Sequence, residues 1–265
     1  MTDVRRTTSR AASAELLRRT GFNMTDESEK AMTDHIVSAF DADLKELGDK
    51  LAEMGGLCEK LVAESVDALL RRDISLARRV IDWDLSIDRL QAAIEENAIN
   101  TIARRAPVAV DLREVVAALR VANDLERIGD LAKNIAKRVV ALEGQFQPPK
   151  LAGGVAHIAD LTLAQLKDVL DAYTRRDEER AMDVWNRDGE IDALYNSLFR
   201  ELLTYMMEDP RNIGFCAHLL FCAKNIERIG DHATNVAETV YYLVHGVALT
   251  EERPKADLMS APIGL

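Results

Sequence analysis

Glu126-Arg127-Ile128-Gly129-Asp130 and Glu227-Arg228-Ile229-Gly230-Asp231 are the same five residues, met twice and 101 positions apart. The match runs outward on both sides. Asn123 to Ala136 aligns with Lys224 to Ala237 without a gap, so the chain carries two related halves. Upstream, Asp67-Ala68, Arg71-Arg72-Asp73, Asp84, Ile87, Asp88 and Leu90 recur 104 positions later as Asp171-Ala172, Arg175-Arg176-Asp177, Asp188, Ile191, Asp192 and Leu194. A unit of about 100 residues is too long for a solenoid repeat and fits tandem duplication of one small domain.

Apolar spacing assigns the elements. Ile36, Phe40, Leu44, Leu47, Leu51, Met54, Leu57, Cys58, Leu61 and Val62 form one helical stripe from Asp34 to about Leu70. Asp73 caps a second helix through Val80, Ile87, Ile94 and Ala98, and Pro107 opens a third through Val116, Leu125, Ile128, Ile135 and Val139. The second half repeats this plan: a helix from about Val155 to Thr174, another from Asp177 to about Met207, and a last one that Asp209-Pro210 opens and His245-Gly246 closes. No alternating run flanks a hairpin dipeptide. The predicted fold is all-α, two pseudo-symmetric three-helix bundles. Its boundaries are a mobile extension over 1–31, bundles over 34–143 and 155–246, a Gly/Pro-rich linker over 144–154, and an irregular tail over 247–265.

The chain has 265 residues, 48% of them hydrophobic, enough for a sizeable core. A formal net charge of -11 argues against nucleic acid and anionic membrane surfaces, and favours cations and basic protein faces. Arginines at 5, 6, 10, 18 and 19 break any signal-type apolar stretch, and no segment reaches bilayer length, so a cytoplasmic place and no membrane insertion are expected. Cys58, Cys216 and Cys222 lack the spacing of a disulfide framework or thiolate zinc site and read as reduced core residues; His218 beside Cys222 reads as packing.

On a helix, residues four apart lie one turn above each other. Glu126, Asp130 and Asn134, like Glu227, Asp231 and Asn235, therefore project two carboxylates and an amide from one face. The preceding helices offer Asp84 and Asp88, or Asp188 and Asp192, at the same spacing. Facing each other in a hairpin, such acids repel unless a hard cation joins them. The competing reading is a solvated surface with Arg89, Arg127, Arg187 and Arg228 as ordinary ion partners. Gly129 and Gly230 stand mid-helix, where glycine costs roughly 1 kcal/mol against alanine; something must approach the backbone there, a packed helix or a metal cluster. The expected ligands are Glu126, Asp130, Glu227 and Asp231, with Asp88 and Asp192 from the second helices and Asn134 and Asn235 as outer hydrogen-bonding groups.

The twin helices, the Ala106-Pro107-Val108-Ala109-Val110-Asp111-Leu112-Arg113 stretch before the third helix, and His35-Ile36, Phe40-Asp41 and Leu51-Ala52-Glu53-Met54-Gly55 together resemble the PhoU family of phosphate-signalling regulators, over roughly Asp34 to Gly246. That resemblance implies two three-helix bundles and metal ions or multinuclear clusters of iron, zinc or magnesium on the Glu/Asp-x-x-x-Asp motifs. It also implies negative regulation of high-affinity phosphate uptake and of the phosphate-starvation response, through the phosphate ABC transporter's ATPase subunit and a phosphate-sensing histidine kinase. A homodimer, held near the inner membrane only through partners, is expected with it. Gln91 and Tyr195 stand where the family often has glutamate, so no ligand role passes to them, and Asn225 opposite Asp124 makes the two halves inequivalent. Two other classes fit the acids: a carboxylate-bridged metal-dependent enzyme, which usually wants a Glu-x-x-His pair that is missing here, and a structural helical adaptor. No phosphate loop and no nucleophile dyad is visible, and the chain is read as a non-enzyme.

Overall fold

The computed structural model describes residues 26–144, 152–251 and 253, with side chains from 39 onward. Seven α-helices and one 3-10 turn make up these residues, and no strand occurs among them. The first half contains α1 (Asp26–Arg71), α2 (Ile74–Arg105) and α3 (Val110–Ala141). The second contains α4 (Gly153–Arg175), α5 (Glu178–Asn186), α6 (Asp188–Glu208), the 3-10 turn Pro210–Asn212, and α7 (Ile213–His245). α1 begins at Asp26, within the stretch assigned to the extension, whose residues 1–25 lie outside the described part. So do 145–151 of the expected linker, and most of the expected tail after Glu251.

The duplication is visible at the joints. Arg72 and Arg176 end the first helix of each half in the left-handed region, with φ of 60° and 54°. Asp73 and Asp177 follow as N-caps with nearly equal dihedrals, accepting from the Leu76 N–H at 2.9 Å and the Arg180 N–H at 3.1 Å. Each satisfies an amide that the first helical turn leaves free.

Besides the early start of α1 and the 3-10 turn Pro210–Asn212 that delays α7 to Ile213, two boundaries differ from the periodicity. α3 starts at Val110, not at Pro107, because Ala106 (φ 44°) closes α2 and Ala109 (φ 50°) precedes α3, leaving Pro107 in the reversal between them. The single helix expected after Asp177 is divided at Arg187 into α5 and α6. The buried Gln165 amide on α4 donates to the Arg187 carbonyl at 3.2 Å, taking up an acceptor released by the break. Leu61 occupies the corresponding place in the first half and has no amide to offer; there α2 runs on uninterrupted.

Ion pairs show each hairpin to be antiparallel: Arg105 at the end of α2 meets Asp43 on α1 at 2.9 Å, and Arg78 at its start meets Glu143 beyond α3 at 3.4 Å. Met54, Leu61, Ile87, Ile94, Leu125, Ile128 and Ile135 fill the first core, and Ile158, Leu166, Ile191, Leu202, Leu219 and Ile226 the second. Each such side chain contributes about 1.5–3 kcal/mol. The halves meet along α3 and α7, with α1 against α4. Arg120 lies over Tyr242 at 4.5 Å and Arg138 over Phe221 at 4.3 Å across that seam.

The mid-helix glycines are explained by a packed neighbour. A Cβ on Gly129 would sit 3.3 Å from two Ile87 atoms, and one on Gly230 would sit 2.8 Å from Ile191 Cδ1. Replacing Gly230 by alanine recovers roughly 1 kcal/mol of helix propensity against about 1–3 kcal/mol of overpacking, for an expected net loss near 1 kcal/mol. Ile191→Val removes the clashing methyl, so in urea unfolding it should cost less in the Gly230→Ala background than alone. Simple additivity would show that Ile191 does not set the glycine requirement.

Candidate metal centre

The glycine contact builds the site. Ile87 is preceded by Asp84 and followed by Asp88, while Gly129 is preceded by Glu126 and followed by Asp130. Seating the isoleucine on the glycine of an antiparallel neighbour therefore brings the four carboxylates to one place. Ile191 on Gly230 does the same for Asp188, Asp192, Glu227 and Asp231.

In the first half Lys133, one turn beyond Asp130, donates to Asp130 Oδ1 at 2.6 Å and makes a short contact to Asp84 Oδ2. Asp84 is only 4% exposed. Burial raises its carboxyl above the usual range; Lys133 opposes this, and Asp88 and Asp130 add to it. Glu126 is raised as well, by burial first and then by Asp130, with Asp88 and Asp84 adding and Arg127 opposing. The Lys133 ammonium is raised by its bonds to Asp130 and Asp84 despite desolvation.

The second half solves the same problem with different groups. Thr234 replaces Lys133, and its hydroxyl donates to Asp188 Oδ1 at 2.9 Å. Lys224 donates to Glu227 Oε1 at 2.7 Å and stands 5.2 Å from the Tyr195 ring. Arg253, from beyond α7, reaches Asp231 at 3.5 Å, Asn235 Oδ1 at 2.6 Å and Glu238 at 2.9 Å. Asp188 and Glu227 are 3% and 8% exposed, and burial raises both. Asp188 Oδ2 and Glu227 Oε2 are buried with no hydrogen-bond donor. A carboxylate oxygen kept from water without a partner is costly.

All six expected ligands thus belong to two acidic groups, one in each half, with Asp88 and Asn134 exposed and Asp192 and Asn235 half-buried. Among the described residues no three ligating side chains converge on one metal-sized point; Lys133 and Arg253 draw the acids toward protein cations instead. Four oxygen donors and two unpartnered buried oxygens in the second half nevertheless fit a hard cation by donor chemistry. Asp84 and Asp188 belong to the site more deeply than Asp88 and Asp192. Their signal was available, since each stands three residues before the isoleucine that meets the glycine. Nothing in the sequence pointed to Arg253, which lies outside the repeat.

Other candidates behave as packing. The Cys58 thiol donates to the Leu125 carbonyl at 3.2 Å, and burial pushes Cys222 up to about 12. His218 is lowered by burial and by Arg138.

The raised Asp188 fixes a sign. A carboxyl raised in the folded state makes the protein bind more protons than the unfolded chain, so stability falls as pH rises above the ordinary aspartate value of 3.8 toward the raised one. Asp188→Asn keeps an acceptor for Thr234 and removes the buried charge. Its melting temperature relative to wild type should rise as pH rises through that window, without added metal; a pH-independent difference would overturn this.

The PhoU domain profile matches residues 51–139 and 155–240. The chain is 59% identical over 226 residues to a Phosphate-specific transport system accessory protein PhoU homolog of Rhizobium meliloti (strain 1021), covering 85% of this chain and 95% of that one. It is 49% identical over 229 residues to the protein of that description from Caulobacter vibrioides (strain NA1000 / CB15N), covering 86% of this chain and 100% of that one. The crystal structure of PhoU from Pseudomonas aeruginosa superposes with a TM-score of 0.75 at 40% identity, over 78% of this chain and 100% of that one. The phosphate transport system regulatory protein PhoU from Streptococcus pneumoniae gives 0.73 at 30% identity, over 80% and 100%.

Proposed function

This chain belongs to the PhoU family, and from that premise we propose that it is a non-enzymatic, metal-binding negative regulator of phosphate uptake and of the phosphate-starvation response. It acts by contact with the phosphate ABC transporter's ATPase subunit and a phosphate-sensing histidine kinase. Relatives across nearly the whole chain carry names of accessory and regulatory proteins of phosphate transport, which supports a regulator over an enzyme. No described helix is long and apolar enough to cross a membrane, which suits action through partners. A net charge of -11 suits docking on basic protein faces, with a salt-sensitive association rate.

The observation that carries the metal part is the pair of buried, donorless oxygens on Asp188 and Glu227, beside Asp192 and Asp231. Those four residues would hold a cation in the second half, and Asp84, Asp88, Glu126 and Asp130 in the first. When bound, the ion supplies positive charge that neutralises the gathered carboxylates. Iron, zinc and magnesium are the ions to compare.

Metal content after chelator-free purification should fall by about half on Glu126→Gln/Asp130→Asn and likewise on Glu227→Gln/Asp231→Asn, if the halves load independently. Equal content in all three proteins would make these acids structural. In a strain stripped of paralogues, deletion should leave a starvation reporter active and phosphate accumulating in rich phosphate. Unchanged reporter and uptake would remove the regulatory reading and favour the adaptor or the metal-dependent enzyme.

A further inference from the structure

Arg253 is a cation that the second acidic site holds from a segment outside the repeat. After Gly246 (φ 77°) ends α7, the chain turns back: Leu249 packs on the core, and Arg253 crosses the end of the acidic face. Its guanidinium serves Asp231 at 3.5 Å, Asn235 at 2.6 Å and Glu238 at 2.9 Å, and Glu238 also accepts from the Trp185 indole at 3.3 Å. Its charge lowers Asp188 from a distance. The first half needs no such visitor, because Lys133 lies within its own α3.

The two counter-cations differ in how they can leave. Lys133 rises from the middle of a packed helix, whereas Arg253 is tied by one turn of irregular chain with Ala248 and Val247 exposed. A cavity of about 290 Å3 is lined by two partners of Arg253, Asn235 and Glu238, together with Asp124 and Leu249. A divalent cation drawn to Asp188, Asp192, Glu227 and Asp231 meets a guanidinium already on Asp231, and like charges in one site compete.

Resting on the metal reading above, we propose that Arg253 is a displaceable counter-cation that sets the affinity of the second-half site, and that cation binding there expels it and frees the chain after α7. Metal occupancy is thereby converted into release of residues 247–251 and 253 and exposure of Asn235 and Glu238 at the seam between the halves. Two guanidinium nitrogens that reach three separate acceptors make arginine suited to holding residues 247–251 when no metal is present.

The test uses full-length protein carrying Glu126→Gln/Asp130→Asn, to leave one site, with Zn2+ as titrant. Arg253→Gln should tighten Zn2+ binding by up to about fivefold, the span expected for one partly exposed ion pair, while Arg253→Lys, which keeps the charge and loses the fork, falls between it and wild type. A dye on Thr250→Cys reads the tail, since the three native thiols are buried. Its anisotropy should drop on saturating Zn2+ in wild type and be low from the start in Arg253→Gln. Circular dichroism checks that each variant is folded, and Lys224→Gln replaces Arg253→Gln as a control that removes charge without touching the tail. Zn2+ binding with unchanged affinity in Arg253→Gln, or with a tail that stays ordered, overturns the displacement and leaves the metal site standing. No Zn2+ binding in any of the proteins overturns both.

Discussion

An isoleucine side chain resting on a bare glycine backbone fixes most of this molecule. With no Cβ at Gly129 or Gly230, Ile87 and Ile191 settle where an added methyl would crowd them, more severely at Gly230, and close packing favours one register. Register then decides which neighbours meet. Because acids flank both the isoleucine and the glycine, the contact that joins two helices also collects four carboxylates. Stability and site are thus set by one piece of packing, in which apolar attraction supplies the force that like charges resist.

Collecting the charges carries a cost that each half meets differently. The first has a lysine in the helix itself, bonded to both Asp84 and Asp130. In the second, a threonine hydroxyl at the same place leaves Asp188 with a neutral donor, and the positive charge comes from Lys224 and from Arg253. Of the gathered acids, Asp188 and Glu227 each keep one carboxylate oxygen buried without a donor, both in this half. Duplication preserved the geometry more faithfully than the ionic partners, so the halves share a shape and not a set of counter-charges.

How far the sequence could be read follows from which forces are local. Helical stripes, the aspartate caps at Asp73 and Asp177 and the offset repeat are local patterns, and they recovered the all-α, two-bundle architecture and both acidic faces. The division at Arg187 is not legible in the sequence, because it depends on Gln165 arriving from another helix, where the matching position of the first half holds Leu61. Pro107 suggested a helix start by its usual preference, yet the reversal required by antiparallel packing put Val110 first. Asp84 and Asp188 each belong to a pair of acids that the sequence alone does not order by depth, since exposure is decided only when the hairpin closes. Arg253 belongs to tertiary structure alone.

The seam between the halves gives the second site its wider reach. Asn235 accepts from Arg253 through Oδ1 and donates through Nδ2 to Asp124 Oδ1 at 3.0 Å, where the His232 ring also sits at 2.8 Å. Asp124 belongs to α3 and Asn235 to α7, so one amide touches the tail cation on one side and the other bundle on the other. An amide cannot turn to suit one partner without presenting the wrong atom to the second. The orientation that serves Arg253 is the orientation that serves Asp124, and in a half-buried network these bonds reinforce one another. Position 225, the counterpart of Asp124, holds an asparagine, so the reciprocal contact cannot carry the same charge. The seam is therefore asymmetric: Asn235 and Asp124 tie the Arg253 network to the first bundle, and the counterpart of Asp124 on α7 is the uncharged Asn225.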